Sequence, residues 1–278
     1  MPQNSDVRPF VKWVGGKGKS VPKLKAFIPK DIEVYVEPCV GGGAMYFGLQ
    51  FQQAIINDSN SELINAYVQI RDNLEGMLSY LKDMHYDKEQ FLEIRAWDRS
   101  KDFYDRDPAQ RAARFIYLNK TCYNGLYRVS KRNYFNTPFG RYTNPVIIDL
   151  KNLQAVRDYL KERPTEILND DYWELLDRIP RHAFVYIDPP YHPISETSFF
   201  TSYVPGAWGT EDQQRLAQFC EELDRRGIRF MESNSTAPLI RTLYAGFRIS
   251  TITAARLVNS KVEGRNEVEE LVITNYQF

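Results

Sequence analysis

The stretch Ala183-Phe184-Val185-Tyr186-Ile187-Asp188-Pro189-Pro190-Tyr191-His192-Pro193 decides how this chain folds. Its five consecutive apolar residues, bounded by a turn signal, read as a strand. The strand delivers a carboxylate, two prolines and a tyrosine at its C-terminal end, where open α/β sheets bind ligands. Both prolines fix φ and remove backbone donors, so the carbonyls of the turn are left to face a substrate. The plain alternative, a rigid proline turn with no further role, is weighed against what surrounds it.

Outward from this stretch, short runs rich in β-branched and aromatic residues recur at 33–36, 54–56, 228–231, 247–252 and 271–274. Helical patterns separate several of them. Residues 61–82 carry Leu63, Ile64, Tyr67, Val68, Ile70, Leu74, Leu78 and Leu81 close to a 3.6 period, with Asn60 or Ser61 placed to cap. Residues 211–226 form a second such pattern, ended by Gly227. Alternation of this kind implies an α/β fold with a mostly parallel sheet and helices on both faces. Between 56 and 183 the strand signal nearly vanishes, and helices followed by a polar, aromatic loop take over. The expected organisation is a discontinuous domain, 1–60 and 165–278, interrupted by a helical module at 61–164.

Two further motifs belong to the first strands. The strand EVYVE at 33–37 runs into Pro38-Cys39-Val40-Gly41-Gly42-Gly43, and glycines after a first strand let the backbone approach a cofactor closely. Alone, such a cluster is equally a tight strand-to-helix turn. Asp58 then closes the next strand, where a carboxylate in nucleotide-binding α/β folds accepts from ribose hydroxyls. By itself Asp58 could cap the following helix. Glycine loop, Asp58 and the proline turn together make a site the better reading.

Composition narrows the class. At 278 residues, 43% hydrophobic and 26% charged, the chain is an ordinary globular protein with no run long enough to span a membrane and no export signal at its start. A cytoplasmic protein is expected. Cys39, Cys122 and Cys220 lie far apart and read as free thiols, and His85, His182 and His192 form no ligand pair, so no metal site is expected. The net charge of zero conceals an asymmetry. Residues 7–30 hold Arg8, Lys12, Lys17, Lys19, Lys23, Lys25 and Lys30 with no acid, and residues 108–148 hold Arg111, Arg114, Lys120, Arg128, Lys131, Arg132 and Arg141 among interleaved rings, again with no acid. Such windows are usually solvated faces. Interleaved aromatics favour nucleic acid, because rings stack on bases while cations hold phosphates.

The segments FVKWVGGK, EPCVGGGA, INDSNSELI, YNGLYRV, FNTPFGRY, IDPPYHPISETSFFTSY and EVEELVITNY resemble, in order and from about Phe10 to Tyr276, those of the Dam family of adenine-N6 DNA methyltransferases. The resemblance implies a class I S-adenosylmethionine-dependent, Rossmann-like sheet with an inserted target-recognition domain carrying a DNA-reading hairpin loop. It also implies a bacterial or phage-type enzyme of the kind found with restriction-modification systems, monomeric, acting on double-stranded DNA containing GATC with base flipping. The cofactor would be S-adenosyl-L-methionine, leaving S-adenosyl-L-homocysteine. Residue by residue, the cofactor contacts fall on Trp13, Lys17, Asp58 and Asp188, with Glu37, Pro38, Gly41 and Gly43 in the loop beneath, and on Asp171 or else Asp170. Catalysis falls on Asp188, Pro189, Pro190 and Tyr191. An adenine amine is a poor nucleophile because its lone pair is delocalised; acceptors at Asp188 and the Pro189 carbonyl would let the nitrogen become tetrahedral, and Tyr191 would stack on the extruded base. For DNA, the resemblance assigns guanine reading to Lys12 and Arg128, a thymine-methyl contact to Leu126 and Pro138, insertion into the base stack to Tyr123 and Asn124, and phosphate anchoring to Asn136 and Arg141. Cys39 stands where the family has phenylalanine, and Ser130 where some relatives have asparagine.

Two rivals remain at this stage. One is a methyltransferase for another amine or amide, cytosine N4 or protein glutamine, whose proline turns often begin with Asn or Ser; Asp188 and the YNGLYR module favour adenine. The other is a DNA-binding relative without activity, against which the intact Asp188, Tyr191 and glycine loop argue.

Overall fold

Every residue of the strand Ala183–Ile187 is buried, and it is flanked on both sides by parallel neighbours, as its unbroken apolar run requires. A computed structural model describes residues 7–194, 208–255 and 267–278. Its strands are β1 (Val34–Glu37), β2 (Ala54–Asn57), β3 (Thr165–Leu168), β4 (Ala183–Ile187), β5 (Arg229–Ser235), β6 (Arg248–Ala255) and β7 (Glu267–Thr274), in one sheet of order β3-β2-β1-β4-β5-β7-β6. Strand β1 runs parallel to β2 and β4, and β4 parallel to β5; β7 lies antiparallel between β5 and β6. This is the α/β architecture expected, with an antiparallel edge added to the parallel core. The order reverses at β1, which sends the chain to β2 on one side and receives β4 on the other. With Val36 opposite Val185, the carboxyl ends of β1 and β4 stand side by side at this switch point.

The helices are α1 (Val21–Leu24), α2 (Ala44–Leu49), α3 (Ser61–Asp72), α4 (Leu74–Leu81), α5 (Lys88–Ala96), α6 (Pro108–Thr121), α7 (Leu150–Glu162), α8 (Thr210–Arg225) and α9 (Pro238–Leu243). The single helix expected over 61–82 is two. Asn73 leaves helical geometry at φ −142°, ψ 45°, and the apolar period survives the break because Leu74, Met77, Leu78 and Leu81 keep facing the core. Of the two capping candidates it is Asn60 whose side chain accepts from the Leu63 amide, at 3.0 Å.

Contacts divide the chain into two units. The first comprises residues through Gly16, Gly41–Gln50 and Asp58–Asn169, where α6 packs on α3, α4 and α5, and α7 on α3 and α4. Phe47, Tyr67, Phe91, Phe115 and Tyr117 fill its core, each side chain contributing about 1.5–3 kcal/mol by leaving water. The second comprises Lys17–Val40, Phe51–Asn57 and Asp170 onward, and its core is built on β1, β4, β5 and β7. None of the described helices is long and apolar enough to cross a membrane.

Candidate functional site

In the second unit the end of β4 carries a cluster of charge. The Lys17 ammonium, its side chain only 3% exposed, lies 2.8 Å from Asp188 Oδ1 and 3.9 Å from Glu270 Oε2, and sits 4.5 Å over the Tyr191 ring. The Tyr191 hydroxyl donates to Glu270 Oε2 at 3.0 Å. Burial pushes the Asp188 carboxyl above the usual aspartate range, with Glu270 adding to the rise and the Lys17 ammonium opposing it. Burial likewise raises the Tyr191 phenol well above its ordinary value, so it stays a neutral donor. Among the described residues, Asp188 Oδ2 and the Pro189 carbonyl accept no hydrogen bond, while the Pro190 carbonyl is taken by Gln213 Nε2 at 2.8 Å. The turn thus leaves two acceptors unengaged and withholds the third. Of the motif segment that contains it, residues 195–203 lie outside the described residues.

Around the strand ends of the same unit, Glu37 accepts from the Tyr35 hydroxyl at 2.8 Å. The buried Asn57 donates to the Pro38 carbonyl at 2.9 Å and bonds both backbone groups of Asp170. The carboxylate of Asp171 is committed twice over, capping the Trp173 amide and pairing with both terminal nitrogens of Arg215 at 2.8 Å, which hold it below the usual aspartate range. The Asp170 carboxylate has no such partner among the described residues.

In the first unit, Gly41 and Gly43 adopt left-handed geometry, φ +49° and +74°, which a side chain would resist. A Cβ at Gly41 would stand 2.5 Å from the Trp13 ring, and one at Gly43 2.6 Å from the Tyr67 hydroxyl oxygen. Trp13 itself stacks on Tyr127 at 5.8 Å. Asp58 latches this turn: Oδ2 accepts from the Gly41 amide at 3.0 Å and Oδ1 from the Asn60 amide at 2.9 Å. Burial raises its pKa and those two N–H groups restrain the rise. Each oxygen keeps a lone pair for a further donor.

Residues 121–140 of the first unit form an irregular hairpin, joined by bridges Cys122–Phe139 and Val129–Phe135. The Tyr123 amide donates to the Pro138 carbonyl at 2.8 Å and the Thr137 hydroxyl to the Leu126 carbonyl, so Leu126 and Pro138 stand one step apart on facing arms. Tyr123 and Asn124 are exposed in a 3₁₀ turn where Asn124 has φ +54°. Arg128 is exposed and its Nε donates to Asn136 Oδ1 at 2.7 Å. Arg141 is also exposed. Lys12 lies against the base of the hairpin: Asn119 bonds both its backbone N–H and its carbonyl at 2.8 Å, as well as the Gly125 carbonyl at 3.0 Å.

The basic windows are less uniform than expected. Arg114 is buried against Asp98 at 2.8 Å and Arg111 pairs with Glu62, acids that lie outside the window in sequence. Lys17 is buried, and Arg8 pairs with Asp149. The exposed cations of the second window are Arg128, Lys131, Arg132 and Arg141. Four polar residues at these sites escaped the sequence reading: Asn119, Gln213, Asn234 and Glu270. Each is a polar residue in an otherwise core-facing helix or strand, and that mismatch is the signal that could have found them.

A family described as D12 class N6 adenine-specific DNA methyltransferase matches residues 13–258. The chain is 40% identical over 273 residues to the type II methyltransferase M1.LlaDCHI of Lactococcus lactis subsp. cremoris, covering 98% of this chain and 96% of that one. It is 39% identical over 294 residues to the type II methyltransferase M.MjaIII of Methanocaldococcus jannaschii, covering 98% and 100%. To a DNA adenine methylase of Escherichia coli K12 it is 31% identical over 265 residues, covering 95% and 94%.

Proposed function

Because the chain belongs to the D12 class of N6 adenine-specific DNA methyltransferases, we propose that it methylates the adenine of double-stranded GATC, flipped out of the helix, with S-adenosyl-L-methionine as donor. The family is an adenine-methylating one and implies that donor; the GATC sequence and the flipping are the finer reading. One observation carries the chemistry: Asp188 Oδ2 and the Pro189 carbonyl stand unengaged at the end of β4, with Lys17 fixing the other carboxylate oxygen at 2.8 Å. An exocyclic amine has two N–H bonds, and these two acceptors match them. Accepting both would turn the nitrogen lone pair out of the ring plane. A base stacked on Tyr191 would use the ring face opposite the Lys17 ammonium, with its contacts offsetting the unstacking cost of a few kcal/mol.

The residues present fit the donor. Gly41 and Gly43 form a left-handed turn with no side chain of its own, packed closely by Trp13 and Tyr67, and Asp58 beside it offers a carboxylate with lone pairs to spare. When bound, the donor supplies an electrophilic methyl group on a sulfonium. By the family resemblance, Trp13, Lys17, Glu37, Pro38, Gly41, Gly43, Asp58 and Asp188 are the residues assigned to hold it. For its adenine end, Asp170 is the better candidate than Asp171, whose oxygens are held by Arg215 and the Trp173 amide. DNA reading belongs to the module at 61–164 together with Lys12, with Arg128 on guanine, Leu126 and Pro138 on the thymine methyl, Tyr123 and Asn124 in the stack, and Asn136 and Arg141 on phosphates.

Mapping of methylated bases in plasmid DNA incubated with the protein and S-adenosyl-L-methionine tests this. The expected product is N6-methyladenine at GATC alone. N4-methylcytosine, or adenine methylated at another sequence, contradicts it.

A further inference from the structure

Beneath the Pro190–His192 segment lies a polar network in the core of the second unit. Gln213, Glu232 and Asn234 each show no exposure at all. Gln213 on α8 donates from Nε2 to the Pro190 carbonyl at 2.8 Å and accepts at Oε1 from Asn234 Nδ2 at 3.0 Å. Asn234 on β5 also donates to Glu232 Oε1 at 2.8 Å, while its own oxygen accepts from the His192 amide at 3.3 Å and the Ser235 amide at 2.8 Å. The amide orientations are forced: two backbone N–H groups face Asn234 Oδ1 and two oxygens face its nitrogen, so a flip of either amide would set donor against donor and acceptor against acceptor.

We propose that Gln213 and Asn234 are positioning residues for methyl transfer, clamping the backbone on both sides of Tyr191 so that the Asp188–Tyr191 turn holds the shape that receives the adenine amine. This inference rests on the reading of that turn given above. Proline fixes φ and leaves ψ free, and the ψ of Pro190 decides where the next peptide, and with it Tyr191, is carried. The carbonyl is the only backbone hydrogen-bonding group Pro190 has, and Gln213 grips it. Two residues on, the His192 amide is gripped by Asn234. Tyr191 is therefore held between two anchored backbone groups that meet at a single pair of side chains. Tyr191 then reaches Glu270 through its hydroxyl, which fixes the ring from the other end. Burying three polar side chains in the core is unfavourable unless every group is paired, and here the pairs end on the turn.

The test is Gln213→Glu, which replaces one NH₂ by an oxygen. Ionised, the new side chain has no donor for the Pro190 carbonyl; protonated, it has one, and burial raises the pH at which protonation occurs. Single-turnover methylation of plasmid DNA carrying all sequence contexts, at saturating S-adenosyl-L-methionine, is read as the ratio of variant to wild type between pH 5.5 and 8.5. The expected result is a loss of about tenfold or more at high pH that recovers toward wild type as pH falls, with half-saturating cofactor and DNA concentrations within about twofold of wild type. Gln213→Ala, without a donor at any pH, should be slow throughout. A Gln213→Glu rate equal to wild type at every pH, or depressed by the same factor at every pH, overturns the inference. If Gln213→Glu does not fold, Gln213→Met keeps the length without the donor, and an unchanged single-turnover rate for it overturns the inference equally. A wild type that methylates no adenine overturns the reading of the turn itself and the inference with it.

Discussion

Glu232 shows what a single residue can cost the fold. It is fully buried on β5, and no cation pairs with it among the described residues; its oxygens meet the Asn234 amide at 2.8 Å, the Cys220 thiol at 3.8 Å and the Tyr244 hydroxyl. Burial therefore pushes its carboxyl from 4.5 up to about 7. A folded-state pKa raised above the unfolded value means the native state holds the extra proton. The stabilising contribution is complete below about pH 4.5 and is lost as pH rises through about 7. Glu232→Gln should remove this slope: thermal melts at pH 8 should show the variant more stable than wild type, by up to about 3 kcal/mol, with the gap closing near pH 5. A gap that is constant with pH would show that Glu232 does not titrate in this range. Glu232, Asn234 and Gln213 stand out in the sequence only as polar residues among core-facing neighbours, and their roles come from partners on distant segments. Asp188 and the glycine turn were legible because their chemistry sits in consecutive residues.

Among the elements, the six strands read from the sequence are those whose runs are rich in β-branched and aromatic residues. The seventh, β3, escaped because its four residues Thr165-Glu166-Ile167-Leu168 are only partly buried at the sheet edge and carry no alternation. The break at Asn73 escaped because the apolar period runs through it. The hairpin at 121–140 was legible only as a polar, aromatic loop, since its ladder is held by scattered bridges rather than a regular strand pattern. Arg128 within it and Arg141 just past its end should differ. Asn136 holds Arg128 by Nε, and among the described residues nothing engages the two terminal nitrogens, the fork that a guanine O6/N7 pair requires. Arg128→Ala should lose roughly 1–3 kcal/mol of discrimination, one to two factors of ten, at the last base pair of the site. Arg141→Ala should weaken binding to all sequences alike. Methylation rates on GATC duplexes and on duplexes altered at that pair decide; an equal slowing of every duplex by Arg128→Ala would make it a phosphate anchor.

For the molecule as a whole, a net charge of zero is compatible with a DNA substrate because the charges are sorted rather than balanced locally. Arg111 and Arg114 are neutralised in ion pairs, while Arg128, Lys131 and Arg132 stay exposed on the hairpin. The sheet order places the ends of β1 and β4 together at the switch point, and β4 ends in the turn on which the chemistry is proposed to depend. Family membership fixes the class of reaction; the central claim is that Asp188 accepts from the adenine amine while Lys17 holds its other oxygen. The direct test is the single-turnover rate of N6-methyladenine formation at GATC by wild type and Asp188→Ala, each at saturating S-adenosyl-L-methionine and DNA. The account predicts a loss of at least about a hundredfold, the scale of removing one transition-state hydrogen-bond partner, accompanied by weaker cofactor binding. A variant that still methylates GATC at a near wild-type rate contradicts it.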